Sequence, residues 1–165
     1  MVIFFSILLI TYLITNLFGY VIHWMLHQRW ATQFNKTHMA HHKLYPAKNF
    51  TSDLYRDAGK DSSFKIFIVM AIPLILIPII LGLSNIISIY LVISILIIEG
   101  IMGFLHNYLH DAFHTNNHWL SKIPLIKNMF NTLVRLHYYH HANMNLNFGI
   151  FTFYWDKLLK TFKSK

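Results

Sequence analysis

The chain has 165 residues, of which 55% are hydrophobic and only 12% are charged, a composition that excludes an ordinary soluble domain. It contains no cysteine, which excludes a disulfide framework and a thiolate metal site. The formal net charge is +8, and 12 histidines outnumber the 6 acidic residues, so any bound metal must take nitrogen or oxygen ligands.

Three apolar segments are each long enough to cross a lipid bilayer. We predict membrane spans at about 2–22, 66–83 and 86–105. The first would reach ~31 Å as a helix, which matches the hydrocarbon core of a bilayer. It has no basic start and no small-residue cleavage site, so we interpret it as a retained anchor rather than a signal peptide. The chain is therefore predicted to be a single all-α integral membrane domain, 1–165, with about three transmembrane helices.

The basic residues lie on one side of these spans. Half of the Lys and Arg fall between positions 29 and 65, and the other half fall between 122 and 165. Under the positive-inside rule, segments 23–65 and 106–165 are then cytoplasmic. Because topology and lipid headgroups explain the net charge, a nucleic-acid partner is not expected. The expected location is the endoplasmic reticulum of a eukaryote or the inner membrane of a bacterium.

All 12 histidines fall on or next to this membrane face, although the topology was assigned without them. Histidines three or four residues apart are neighbours on a helix, so each cluster directs two or three imidazoles into one volume. The spacing HxxxH occurs at His23/His27 and along His106, His110, His114 and His118, and HxxHH occurs at His38/His41/His42 and at His137/His140/His141. Neutral imidazole is the form that binds metal. Four helices carrying these clusters could surround two metal ions.

The last cluster lies on a segment with helical periodicity. The helix is expected to begin at Pro124, because proline suits the first helical position. Its apolar stripe is formed by Ile126, Met129, Phe130, Leu133 and Val134. The histidines from His137 onward continue that stripe, so their side chains are expected to face inward.

Two acidic residues are candidate outer partners of these ligands. Asp111 stands three residues before His114 and could orient that imidazole. Glu99 shares a helix stripe with His106 and His110. An ionisable group within a span is a functional candidate, here as a hydrogen-bond acceptor near the metal or as a contact to a substrate hydroxyl. The alternative is a protonated Glu99 that bonds to a neighbouring helix.

The absence of two motifs narrows the metal chemistry. No glutamate follows a histidine as in the HExxH zinc motif, and none stands three residues before a histidine as in soluble di-iron bundles. A site built almost wholly of imidazole nitrogen suits iron or another first-row ion. Two irons could share the electron load of activating dioxygen, the usual route to attack on an unactivated C–H bond.

These residues resemble the fatty acid hydroxylase/sterol desaturase superfamily of membrane di-iron enzymes. The resemblance rests on "HWMLH", "NKTHMAHHKLYP", "HDAFHTNNH", "LHYYHH" and the closing "NFGIFTFYWDKLLKTF". It implies metal ligands at His23, His27, His38, His41, His42, His137, His140 and His141. In the third box it favours His114 and His118, with His110 as the alternate and His106 as the least expected ligand. Lys160 stands where the family's N-x-G…W-D-x-L-F-G-T ending has its glycine.

The resemblance also implies O2-dependent hydroxylation or desaturation of a fatty acyl chain or sterol. It implies two iron ions, for which zinc can substitute in purified protein, and a separate electron donor, either a reductase or a small cytochrome. The short chain leaves homo-oligomerisation open. The rival hypothesis is a non-catalytic metal-binding or metal-transport protein. Transport would place histidines or acids near the bilayer midplane, where the sequence offers only Glu99.

Overall fold

The structure is a computed structural model that describes residues 2–56 and 63–164, with side chains for 3–56 and 71–164. Residues 57–62, which belong to the predicted cytoplasmic segment, lie outside the described residues. The described part is all-α, as predicted, and contains no β-strand. Its helices are α1 (Val2–Leu26), α2 (Thr32–Leu44), α3 (Ser63–Leu83), α4 (Ile89–Phe113), α5 (Lys127–Ala142) and α6 (Tyr154–Leu158).

Two of the described helices, α1 and α4, are long and apolar enough to cross a membrane, at Ile3–Leu26 and Ile89–Phe113. The most apolar 18-residue window of each is only 17% buried, whereas the core helix of a soluble protein would be mostly buried. Large apolar side chains that are more than half exposed include Ile3, Phe5, Tyr90, Ile97 and Phe104. An apolar exterior of this extent suits lipid rather than water. These two helices point to a membrane protein.

The predicted middle span corresponds to α3. Its apolar part with described side chains is Ala71–Leu83, which contains Pro73 and Pro78. Helix α3 as a whole has 21 residues, but its side chains are described only from Ala71 onward. The presence of a third span therefore stays a prediction.

A tight turn joins α3 to α4. Asn85 has a φ of 56°, and the Ser88 side chain caps α4 by accepting a hydrogen bond from the backbone N–H of Leu91. The two helices meet closely at Gly82, where a Cβ atom would lie 2.5 Å from Cγ2 of Val92. The turn and this contact together set α3 against α4.

Both long helices continue past the predicted ends of their spans. The first span was expected to end at 22 and the third at 105, whereas α1 ends at Leu26 and α4 at Phe113. His23 and His110 therefore lie on the last turns of the membrane helices. Because α1 packs along α4, these two turns come together.

Helix α5 covers this end of the pair, with its apolar stripe facing inward. Its buried side chains are Phe130, Leu133, Leu136, His137, His140 and His141. Two expectations were wrong: Met129 is 60% exposed, and the helix begins at Lys127 rather than Pro124. The carbonyl of Ile123 accepts hydrogen bonds from Ile126 and Lys127, which closes a separate turn before the helix.

Candidate metal centre

The histidines meet at the ends of α1 and α4 in two groups. The first group contains His23, His27, His38, His42 and His140, and the second contains His41, His110, His114 and His137. Within each group the candidate ligand nitrogens all lie within 4.8 Å of one another. Every ring is buried except that of His27, which is partly exposed. Four separated parts of the chain thus build two compact nitrogen-lined volumes.

Each HxxHH box supplies both groups. His38 and His42 enter the first group from α2, while His41 enters the second. On α5, His140 enters the first group and His137 the second. Successive side chains on an α-helix are turned by ~100°, so neighbouring histidines point into adjacent volumes. One helix can therefore serve two sites.

His141 lies between the groups and belongs to neither. Its ring centroid is 4.1 Å from that of His42 and 4.7 Å from that of His114. Its Nδ1 donates a hydrogen bond to the carbonyl of Tyr45 at 2.6 Å. Its buried Nε2 has no hydrogen-bond partner among the described residues. The ring is thus placed to complete either group.

Backbone carbonyls orient three further imidazoles in the same way. The pairs are His23 Nδ1 with Phe148 (2.7 Å), His140 Nδ1 with Leu146 (2.7 Å) and His114 Nδ1 with Phe50 (2.8 Å). A carbonyl oxygen can only accept, so each Nδ1 carries the ring proton. Each Nε2 then presents its lone pair to the interior, which is the arrangement that metal-binding histidines use.

The ring nitrogens crowd together in a way that fits a cation. Nε2 of His27 lies 3.0 Å from Nε2 of His38 and 3.0 Å from Nε2 of His140. Nε2 of His23 and both ring nitrogens of His41 are buried without a hydrogen-bond partner in the described part of the chain. A buried polar atom left unpaired costs about 1–3 kcal/mol. A metal ion in each volume would supply the missing partner.

Burial also keeps these imidazoles neutral. It lowers the pKa of His27 to about 4 and that of His141 to about 3. Six further histidines have a pKa well below the ordinary value of histidine. The main cause is burial, and a smaller one is repulsion between protonated neighbouring imidazoles. The six are His38, His41, His42, His114, His137 and His140. At neutral pH these rings are therefore in the form that donates a lone pair to a metal.

The C-terminal clamp, which we define as residues 146–149 together with Asp156, holds two of the orienting carbonyls. The carboxylate of Asp156 is fully buried and accepts hydrogen bonds from the backbone N–H groups of Phe148 (2.7 Å) and Gly149 (2.8 Å). It also accepts one from the hydroxyl of Thr161 (2.9 Å). A Cβ atom at Gly149 would lie 2.2 Å from a backbone oxygen, so only glycine fits. These contacts fix the peptide whose carbonyl orients His23.

Asn147 anchors the same segment from its other side. Its side-chain amide donates to the carbonyls of Leu136 (3.1 Å) and Lys163 (2.8 Å), and its Oδ1 accepts from the N–H of Lys163 (2.8 Å). Its φ of 54° lies in the left-handed region, which asparagine tolerates better than most residues. The carbonyl of the preceding residue, Leu146, orients His140. The clamp thus reaches a ligand on α1 and a ligand on α5.

A comparison with protein families identifies the chain. The model of the fatty acid hydroxylase family matches residues 8–161. The chain belongs to the fatty acid hydroxylase family. No curated protein and no solved structure shows a significant match to it. Family membership and the two histidine groups together indicate a metal-dependent oxidoreductase of the lipid hydroxylase type.

The ending typical of the fatty acid hydroxylase family coincides with the clamp. Its N-x-G and W-D elements correspond here to Asn147, Gly149 and Asp156. Sequence reasoning used these residues only for the resemblance and gave them no structural role. The signal was present in the motif, but the hydrogen bonds of the motif go to backbone groups, which a sequence pattern does not identify.

In the third histidine box, the sequence favoured His114 and His118 as ligands, with His110 as the alternate, and the structure divides these residues differently. His110 and His114 enter the second group, whereas His118 lies outside both groups. Nδ1 of His118 accepts a hydrogen bond from the N–H of Leu120, and its Nε2 lies 3.3 Å from the hydroxyl of Tyr108. The helical spacing fails at this point because α4 ends at Phe113. His118 is therefore not among the ligands that we propose.

Asp111 does not orient His114, contrary to the prediction. His114 caps the end of α4, and its Nδ1 donates to Phe50 instead. The carboxylate of Asp111 lies 3.6 Å from Nδ1 of His110, and its side chain is 48% exposed. Phe50 itself is held near α4 because the N–H of Ser52 donates to the carbonyl of His114 at 2.9 Å.

A cavity of about 580 Å³ lies beside the histidines, between α1, α3 and α4. Its wall contains Gly19 and His106, which stand one turn before His23 and His110 respectively, and Gly149 of the clamp. Glu99, predicted as a partner of the ligands or as a substrate contact, lies in this wall and in neither group. His106, the least expected ligand, is likewise in neither group. The cavity wall thus comes within one helical turn of the candidate ligands His23 and His110.

Proposed function

We propose that the protein is a membrane di-iron enzyme that hydroxylates or desaturates a lipid chain with dioxygen. The observation that carries this proposal is the convergence of two histidine groups, each with its nitrogens within 4.8 Å, at one end of the membrane helices that also line an apolar cavity. Two iron ions bound there would supply the activation of dioxygen for attack on an unactivated C–H bond. The family supports the lipid substrate class.

The residues of the chain have distinct parts in this proposal. The two groups would hold one ion each, with His141 available to both. The carbonyls of Phe148, Leu146 and Phe50 keep three Nε2 atoms aimed inward. Burial of the rings excludes water and keeps them unprotonated. The apolar cavity would hold the hydrocarbon next to the second group.

We further propose that the centre faces the cytoplasm and is reduced by a separate protein. The support is the distribution of Lys and Arg, which flank the candidate centre and are missing from the α3–α4 turn. A reductase or small cytochrome would supply the electrons. A third span within α3, and possible pairing with a second copy of the chain, belong to the same proposal.

Metal analysis combined with lipid mass spectrometry tests the proposal. The wild type and His41→Ala, His140→Ala and His118→Asn variants are expressed in a host with a compatible reductase. We expect two equivalents of iron, or zinc in its place, in the wild type and in His118→Asn, because His118 lies outside both groups. We expect reduced metal in the other two variants. Only the wild type and His118→Asn should yield lipids that have gained one oxygen or lost two hydrogens.

Two outcomes would contradict the proposal in different ways. A wild-type protein without bound transition metal would remove its basis. A protein that binds the metal stoichiometrically but leaves the lipids of the host unchanged, under oxygen and with reductase, would indicate the non-catalytic metal-binding protein instead.

A further inference from the structure

The cavity wall contains a carboxyl group with one oxygen that lacks a partner among the described residues. Glu99 lies in the wall, and its Oε2 is buried without a hydrogen bond in the described part of the chain. Other polar side chains of the wall are bonded to helix carbonyls: Thr15 to Thr11, Asn16 to Tyr12 and Asn107 to Gly103. An unpaired carboxyl oxygen in an apolar, membrane-embedded wall is unfavourable. A molecule that fills the cavity would have to satisfy it.

We propose that Glu99 determines substrate specificity by binding a hydroxyl group of the lipid in the cavity. This inference rests on the proposed function for the nature of the occupant. A hydroxyl both donates and accepts, so it can pair with Glu99 whether the carboxyl is ionised or protonated. A carboxylate or phosphate group would bring a negative charge into the apolar wall beside Glu99, which is unfavourable. The site therefore selects neutral hydroxyl-bearing lipids, either sterols or long-chain alcohols.

The size and lining of the cavity agree with such an occupant. Its volume of about 580 Å³ is in the range of cavities that enclose a whole small molecule. Phe18, Leu74, Leu96 and Met102 supply apolar walls for a ring system or an alkyl chain. Binding of such a lipid also requires a hydrogen-bond acceptor or donor for its hydroxyl group, which Glu99 provides.

The position of Glu99 on α4 also predicts which carbon is oxidised. Glu99 precedes His106 by two turns and the ligand candidate His110 by three, a rise of roughly 10–16 Å along the helix. A lipid bound through its hydroxyl at Glu99 would therefore present a carbon about that far from the hydroxyl to the histidines. The modified carbon should be remote from the hydroxyl rather than adjacent to it.

Competition binding to the metal-loaded full chain in lipid nanodiscs tests the inference. Displacement of a fluorescent lipid is measured with two matched pairs: 1-octadecanol against 1-methoxyoctadecane, and cholesterol against its methyl ether. The ethers cannot donate a hydrogen bond, so at least one alcohol should bind about tenfold or more tightly than its ether. The pair that shows the preference identifies the sterol or the linear alcohol as the ligand class.

Variants assign the preference to Glu99. In Glu99→Leu the alcohol and the ether should bind within about threefold of each other, while Glu99→Gln, which still offers an acceptor and a donor, should keep most of the preference. Leu96→Met, an apolar exchange in the same wall, is the matched control and should behave as the wild type. Equal binding of both pairs by the wild type, a preference that survives in Glu99→Leu, or failure of every probe to compete would overturn the inference.

The parallel measurement of lipid products separates this inference from the proposed function. An alcohol preference that requires Glu99, without any oxidised product in the presence of reductase, would contradict the proposed enzymatic activity but support hydroxyl binding by Glu99. Oxidised product at a carbon next to the hydroxyl, or product formed equally from alcohol and ether, would contradict hydroxyl binding by Glu99 but support the proposed enzymatic activity.

Discussion

The C-terminal clamp offers the sharpest test of how the metal centre is held, because the side-chain hydrogen bonds of Asp156 in the described structure go to Phe148, Gly149 and Thr161 rather than to a histidine. In Asp156→Asn one carboxylate oxygen becomes an amide that cannot accept, so one of the N–H groups of Phe148 and Gly149 loses its partner. In Asp156→Ala both lose it. At about 1–3 kcal/mol for each buried N–H left unpaired, unfolding should become easier by about 1–3 and 2–6 kcal/mol respectively.

Metal binding should weaken together with stability, since the Phe148 carbonyl would no longer be fixed against Nδ1 of His23. Loss of an outer partner of a metal-bound histidine typically costs 10- to 100-fold in affinity. We expect about tenfold for Asp156→Asn, measured as metal content at limiting metal concentration, beside thermal unfolding in detergent. Asp53→Asn is the control, because Asp53 is exposed and bonds only to Asn116 in the described structure. Wild-type metal affinity in Asp156→Asn would refute the positioning role.

Three further changes probe the clamp, the helix end and the cavity. Gly149→Ala should destabilise by about 1–3 kcal/mol and lower metal content, because its Cβ would meet the oxygen of Thr152 at 2.2 Å; wild-type unfolding would contradict this. Lys160 has a φ of 62°, so Lys160→Gly should stabilise by about 0.5–1 kcal/mol in thermal unfolding without changing metal content. Gly103→Leu should reduce lipid binding and spare metal, since no atom lies within 4 Å of its Cβ position in the cavity wall.

Removal of metal by a chelator should lower the unfolding temperature of the wild type. A ligand present at a hundred times its Kd stabilises the folded state by about 2.7 kcal/mol, and the chelated protein loses that contribution. His41→Ala, which removes a ring whose two nitrogens have no other partner in the described structure, should show a smaller shift on chelation. An equal shift in both proteins would mean that the metal binds elsewhere.

Much of the site could be predicted from spacing alone. Residues three or four apart on a helix share a face, so the pairing of His38 with His42 in one group followed from the sequence, whereas the entry of His41 into the other group did not. The charge pattern then predicted that all boxes lie at one membrane face. What spacing could not predict was the end of α4. The series His106, His110, His114, His118 has one unbroken period, but the helix ends at Phe113, so His114 is its cap and His118 lies beyond it, outside both groups.

The orienting groups were beyond prediction for a different reason. The partners of His23, His114, His140 and His141 are main-chain carbonyls, and every residue has one. Which carbonyl meets which ring depends on the path of loops that are ordered by distant contacts, such as the hydrogen bond from Asn147 to Leu136. The sequence favoured Asp111 as the partner of His114, because a carboxylate side chain can be recognised in a sequence. In the structure the partner of His114 is the main-chain carbonyl of Phe50.

The sharing of α2 and α5 between the two groups has a structural consequence for any pair of metals. His41 and His42 are adjacent on one helix, with ring centroids 5.6 Å apart, yet they enter different groups. His137 and His140 do the same on α5, at 5.6 Å. Because a helix is rigid over one turn, neither group can open or shift without moving the other. Two ions held in this way would both be positioned by α2 and α5.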